Sequence, residues 1–246
     1  MKRFFISLLL LISSFSLVFA ETVETFITPG VVTWTCPIGV TSVKIECWGA
    51  GACGAGQYGY TGGIGGGGGA YSRINSYIVS SGAGYTLTIG VTGSPGGDTS
   101  FKNGVTTVCL AKGGNYSVGG AAASCTGDVK YSGGSGGSTG MYSSGSGGGS
   151  SAGTESNGND GLPSYNMSYN PGAGGSAPVG GAAGGSGGSR NGSQGNPPPS
   201  FGGGGGGGAY PGGAGSPATN GYGQIILTYT ITATAVPCVP IILQLE

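Results

Sequence analysis

Apolar and polar positions alternate with a period of two in three blocks of the chain. In residues 40–48, Val43, Ile45 and Cys47 fall on one face and Lys44, Glu46 and Trp48 on the other. In residues 85–91, Tyr85, Leu87, Ile89 and Val91 share a face. The third block is Gln224–Thr230, QIILTYT. Shorter β-rich runs occur at 25–27, 31–35, 70–77, 99–102 and 105–111, separated by the turn signals Pro29-Gly30, Pro37 and Asn103-Gly104. No stretch beyond residue 20 combines a helical period with helix caps, so the pattern predicts an all-β chain.

Between the strands at 22–112 and the closing strand lies about a hundred residues of Gly, Ser, Ala, Asn and Tyr. The chain contains 61 glycines, many in runs such as 65–69, 147–149 and 202–208. Glycine loses the most backbone entropy on folding and has no side chain to bury, so such tracts usually form flexible linkers. Two features oppose that reading. The tracts carry Tyr131, Tyr142, Tyr165, Tyr169, Phe201 and Tyr210, and they end in a strong strand that needs a partner earlier in the chain. Residues 133–138 and 184–189 repeat as Gly-Gly-Ser. Three residues is the period of the polyproline-II-type helix, which has no internal hydrogen bonds. Packed side by side, such segments can pair each N–H with a neighbour's C=O. Collagen is excluded, because glycine does not recur at every third position over a long span.

The first twenty residues have the form of a secretory leader: Lys2 and Arg3, a mostly apolar stretch to Val18, and Ala20 before Glu21. No later stretch is apolar enough to span a bilayer. Beyond the leader there are six basic and eight acidic side chains and no basic patch, which argues against nucleic acid as a partner. All six cysteines follow the leader, at 36, 47, 53, 109, 125 and 238. In an exported chain an even count points to disulfides, with fifteen pairings open, and buried thiols at Cys47 and Cys109 are the alternative. A metal site is not expected, since there is no Cys-x-x-Cys and no histidine.

Several blocks together carry a resemblance. They are residues 26–30 (FITPG), 33–43 (TWTCPIGVTSV), 46–51 (ECWGAG), the run 65–72, the strand at 85–91, Ala111-Lys112-Gly113-Gly114, and 220–229 (NGYGQIILTY). Over about residues 24–230 the chain resembles the bacterial glycine-rich domain family of secreted proteins, phage tail-fibre proteins and adhesins. The resemblance implies a small β-sandwich or jelly-roll-like base carrying a packed bundle of polyglycine-II helices. It also implies that loops between glycine segments form a receptor-binding tip, as in the related phage adhesins. The chain departs from the family in its leader and its six cysteines; members often carry apolar residues where Cys36 and Cys47 stand. The departure favours a bacterial surface or extracellular protein over a phage tail protein.

No catalytic constellation is present. Without histidine, Ser-His-Asp and Cys-His systems are impossible. Asp128, Glu155 and Asp160 are too scattered to suggest a carboxylate pair. Residues 202–208 lack the Gly-Lys-Ser/Thr ending of a phosphate loop. Residues 157–161 (NGNDG) lack the spacing and the bidentate Glu of a calcium loop. No cofactor is expected, and the chain is read as a non-enzyme.

Binding is the better prospect. Within the glycine-rich region, residues 154–171 lie in the longest stretch with no glycine pair and are rich in Tyr and Asn, which supply stacking faces and hydrogen bonds at low entropy cost. Tyr165, Asn166, Tyr169 and Asp160 are the candidate ligand-binding residues. Loops at 58–60 and 190–201 are weaker candidates of the same kind. The alternative for Tyr165 and Tyr169 is that they pack on the glycine bundle.

The sequence is therefore read as a leader at 1–20, a glycine-rich β/polyglycine-II domain at 21–230, and a tail or extra strand at 231–246. Its expected role is a secreted or cell-surface adhesin or structural component that binds a surface glycan or protein. A self-associating fibre or matrix subunit, a tail-fibre-like receptor-binding protein and an ice-binding protein are the alternatives.

Overall fold

A computed structural model describes residues 21–165, 167, 169–214 and 221–231. The predicted leader, Asn166, most of the C-terminal tail and Cys238 lie outside the described residues. The strands are β1 (Glu21–Phe26), β2 (Gly30–Thr35), β3 (Ser42–Trp48), β4 (Tyr71–Ile78), β5 (Gly84–Ile89), β6 (Thr99–Asn103), β7 (Thr106–Ala111), β8 (Val129–Tyr131) and β9 (Gln224–Thr230). Among the described residues the only helical element is a 3₁₀ turn at Ala122–Ser124, so no helix is long and apolar enough to cross a membrane.

Two antiparallel sheets pack together, with strand orders β1-β9-β3-β4-β8 and β2-β5-β6-β7. The alternation seen in the sequence sets their inner faces. Val43, Ile45 and Cys47 of β3, Tyr85, Leu87 and Ile89 of β5, and Ile225, Leu227 and Tyr229 of β9 are buried in one core. Trp34 of β2 spans the gap, its ring 5.8 Å from Tyr229 on the opposite sheet and 6.3 Å from Phe101. Val91 departs from expectation. The strand stops at Ile89, Gly97 N–H donates to the Val91 carbonyl at 2.8 Å, and the Val91 side chain is exposed. At the β6–β7 turn Gly104 adopts φ +56°, as the Asn-Gly pair requires.

The outward face of β3 is not wholly solvated. Trp48 and Tyr71 are buried in a second cluster with Ala152, flanked by Tyr131 and Phe201. The Tyr71 hydroxyl donates to Glu46 Oε1 at 2.6 Å, and Lys44 Nζ lies 2.8 Å from Glu46 Oε2. Burial, then the Glu46 carboxylate, pushes the Tyr71 phenol well above its usual range.

This second cluster joins the sandwich to a lattice built from the glycine tracts. The chain leaves the sheet at Trp48 and finally re-enters at its register partner Gln224. Residues 143–153 run through the centre of the lattice. Their N–H groups turn to a different neighbour at each successive residue. Gly145, Gly148 and Ser151 donate to Gly188, Gly185 and Ala182 at 2.8–2.9 Å. Ser146, Gly149 and Ala152 donate to Gly63, Gly66 and Gly69 at 2.9–3.1 Å, and Gly147 and Ser150 donate to Leu162 and Asn159. Their carbonyls accept from three further segments: Gly134 and Gly137, Gly172 and Gly175, and Gly204 and Gly207. The glycine region is therefore a hydrogen-bonded body with a three-residue period, and the linker alternative does not describe it. Buried peptide groups gain partners from other segments rather than from a sheet ladder. The close spacing needs bare Cα atoms: a Cβ on Gly147 would sit 1.8 Å from the Ala173 carbonyl oxygen.

Small hydroxyls fill the interstices. Ser143, Ser144, Ser146, Ser150 and Ser151 are all fully buried. Ser146 Oγ accepts from Gly65 N–H at 2.9 Å, Ser150 Oγ from Asn159 N–H at 2.7 Å, and Ser151 Oγ from Ala182 N–H at 2.7 Å. These serines satisfy backbone donors that the three-residue rotation leaves over.

Candidate functional site

The lattice has two ends. Ala152, Phe201 and Gly202 lie at the sandwich end, where Trp48 meets Ala152 and Phe201 and Gly202 N–H donates to the Tyr222 carbonyl. At the other end, next to Ser143, the connecting loops converge. Tyr142 N–H donates to the Tyr60 carbonyl at 2.6 Å, and Tyr210 N–H to the Ser143 carbonyl at 3.2 Å. Asn191 N–H donates to the Tyr210 carbonyl at 3.2 Å, and Met167 N–H to the Met141 carbonyl at 2.9 Å. Each loop turns through a residue of positive φ: Gly59, Tyr142, Met167, Asn191 with Gly192, and Gly212.

Three tyrosines from separate loops form a ring cluster at this tip. Tyr60 and Tyr142 are 5.4 Å apart, Tyr142 and Tyr210 5.3 Å with perpendicular planes, and Tyr60 and Tyr210 6.2 Å. These are favourable edge and tilted arrangements. The loop at 57–61 is braced from below by Gln57, whose Oε1 accepts from Gly212 N–H at 2.8 Å. The Thr61 hydroxyl donates to the Tyr58 carbonyl at 2.8 Å, and the Tyr58 side chain is 88% exposed.

A second group stands beside the first. The Arg190 guanidinium carbon lies 4.4 Å from the centroid of the Tyr169 ring, and Nη1 donates to the Met167 carbonyl at 3.4 Å. Arg190 is itself held at its backbone, its N–H donating to buried Ser144 Oγ at 3.0 Å. Tyr165, 73% exposed, borders an open hollow of about 360 Å³ with Ser138, Thr139, Gly140 and Ser164. Met141, Met167 and Tyr169 are also exposed.

The structure thus brings Tyr165 and Tyr169 to one end of the molecule. It adds Tyr58, Tyr60 and Arg190 from the two weaker candidate loops, Met167 from the same 154–171 stretch, and Met141, Tyr142 and Tyr210 from positions the sequence did not single out as a site. Asp160 stands elsewhere. It is exposed on the flank of the lattice, with Oδ1 accepting from Ser135 N–H at 2.7 Å. Asn157 does the same for Ser132 N–H at 2.9 Å. Among the described residues no group of three or more Cys, Asp or Glu is placed to hold a metal ion.

The model of the glycine-rich domain matches residues 27–230. The chain belongs to the glycine-rich domain family. The match takes in strands β2 to β9 and the lattice with its tyrosine tip. No curated protein matches the chain.

Proposed function

We propose that this glycine-rich domain is a secreted, non-enzymatic surface protein that binds a cell-surface glycan or protein through its tip. One observation carries the reading: exposed Tyr58, Tyr60, Tyr165, Met167 and Tyr169 are gathered at the end of a body built mostly of glycine. Tyrosine offers a large contact area with two rotatable bonds and a hydroxyl, and methionine adapts its shape. The three-residue rotation of hydrogen bonds supports polyglycine-II geometry for the supporting segments. Such a lattice lends the loops rigidity at little side-chain entropy cost. The leader at 1–20 and the six cysteines support export and oxidation.

Binding of the labelled chain to a glycan array and to intact bacterial and eukaryotic cells tests this. Tyr165→Ala with Tyr169→Ala removes the binding while the melting temperature stays within about 2 °C of the parent. Retained binding to the same target rules out the tip.

A second reading, a self-assembling extracellular subunit, rests on the outer edges of β1 and β2, which have no partner among the described residues. Both border a groove of about 310 Å³ that includes Ile27, Val31 and Val32. Open apolar edges are where a further strand adds. Concentration-dependent scattering, lost on Val31→Lys, would favour it over the adhesin.

A further inference from the structure

Three thiols that the binding tip does not use meet inside the molecule. Cys47 lies on β3 and Cys109 on β7, one on each sheet, and both are fully buried. Cys47 is the register partner of Ser72 on β4, and the Cys109 thiol donates to the Ser72 carbonyl at 3.6 Å. The two cysteines therefore converge on one residue from opposite sheets within a single buried core, and both stand as free thiols in the structure. Cys125 lies on the loop after the 3₁₀ turn, next to the Leu110–Thr126 bridge that joins this loop to β7.

We propose that Cys47 and Cys109 are a disulfide pair that clasps the two sheets when the chain folds under oxidising conditions. This rests on the reading of the chain as exported.

Geometry selects this pair. Leu110 and Thr126 exchange hydrogen bonds at 2.9 and 3.0 Å, so Cys109 and Cys125 sit diagonally across that bridge. Diagonal neighbours are roughly 7–8 Å apart. Bridged cysteines usually need Cα separations of about 4.4–6.8 Å. Cys36 directly follows β2, and its thiol donates to the Val40 carbonyl at 3.6 Å.

The bond forms by thiol–disulfide exchange with a low-molecular-weight disulfide such as oxidised glutathione. One cysteine thiolate attacks that disulfide and releases a thiolate, giving a mixed disulfide. The second attacks the mixed disulfide at the protein sulfur and releases the other thiolate. Two cysteine protons are lost, two electrons pass to the external disulfide, and two small thiols result. With both sulfurs fully buried in the finished core, the exchange takes place before the sheets close, and the bond is afterwards shielded from reductants.

The test refolds the full chain in a mixture of oxidised and reduced glutathione, blocks remaining thiols with iodoacetamide, and digests with trypsin without reduction. Cleavage after Lys44, Arg73, Lys102 and Lys112 places Cys47 in peptide 45–73 and Cys109 in peptide 103–112. Mass spectrometry should recover 103–112 joined to 45–73. It should do so equally in Cys53→Ala, since Cys53 shares the first peptide. Reduction before melting should lower the transition by about 5–10 °C in the parent and leave Cys47→Ala/Cys109→Ala unmoved. Peptide 103–112 recovered alkylated and alone, or joined to peptide 113–130 that holds Cys125, overturns the pairing. Refolding in vitro does not depend on export, which N-terminal sequencing of chain from the culture medium tests separately.

Discussion

The indole N–H of Trp48 donates to the carbonyl of Ala152 at 3.2 Å, joining the end of a sheet strand to the central segment of the glycine lattice. The ring also lies 4.7 Å from Tyr71 and 5.5 Å from Phe201. One side chain thus couples the two parts of the fold. Trp48→Phe keeps most of the packing and removes the donor. The Ala152 carbonyl still accepts from Ser151 Oγ at 3.3 Å, so the loss should be about 1 kcal/mol. Trp48→Ala empties the site and should cost about 3–5 kcal/mol. Urea unfolding of both variants checks the difference. Equal effects would mean that the hydrogen bond, not the ring, holds the parts together.

Glycine in the lattice is a steric requirement. A Cβ at Gly145 would lie 1.8 Å from the Gly207 carbonyl oxygen, and one at Gly147 equally close to that of Ala173. Neither neighbour is a flexible side chain that can swing away. Gly147→Ala should therefore destabilise by about 3 kcal/mol or more, at or beyond the top of the usual overpacking range. Gly104→Asn, at a turn with φ +56° and open space around it, should change stability by less than about 1 kcal/mol. Thermal melts of the two variants compare a crowded glycine with an uncrowded one.

The strands were legible in sequence where alternation persists over several residues, as in β3, β5 and β9. The strand β8, Val129–Tyr131, was not, because three residues are too few to establish a period. Its role comes from pairing with β4. Trp48 was placed correctly on the face opposite Ile45, but alternation cannot reveal that the lattice covers that face. At the tip, Tyr165 and Tyr169 stood out because their segment is poor in glycine. The cluster of Tyr60, Tyr142 and Tyr210 did not, because only the register of distant glycine segments brings those loops together. Asp160 looked like a ligand-binding carboxylate in the same segment, whereas the fold gives it a backbone N–H on the flank.

Alkaline stability should depend on Tyr229. Burial, then the hydrogen bond its hydroxyl donates to Glu24 Oε1, pushes its phenol up to about 12. An unfolded tyrosine ionises near about 10. Below that value both states carry the proton and the group adds no pH dependence. Between about 10 and 12 the unfolded chain binds fewer protons than the folded one, so stability falls as pH rises. Tyr71, raised further, extends the fall. In the reduced protein the buried thiol of Cys47, also raised by desolvation, adds to the fall. Tyr229→Phe should flatten the decline above pH 10 relative to the parent in denaturant titrations. An unchanged slope would mean that other groups set it.

Arg190 should order the Tyr169 side of the tip without supporting the core. Its guanidinium packs over the Tyr169 ring and reaches the Met167 carbonyl, while its own N–H is fixed by Ser144. An exposed cation–π contact contributes about 0.5–1 kcal/mol, which is enough to bias a loop and too little to shift global unfolding much. Arg190→Ala keeps the backbone bond to Ser144 and frees the loop. Limited chymotrypsin digestion should then cut after Tyr169 several-fold faster than in the parent, with the melting temperature lowered by no more than about 3 °C. Arg190→Lys retains a cation but loses the planar stacking and the fork that reaches the carbonyl. Its cleavage rate should fall between the other two. Equal rates in all three proteins would show that the loop is held by Met141 and Met167 backbone pairing alone.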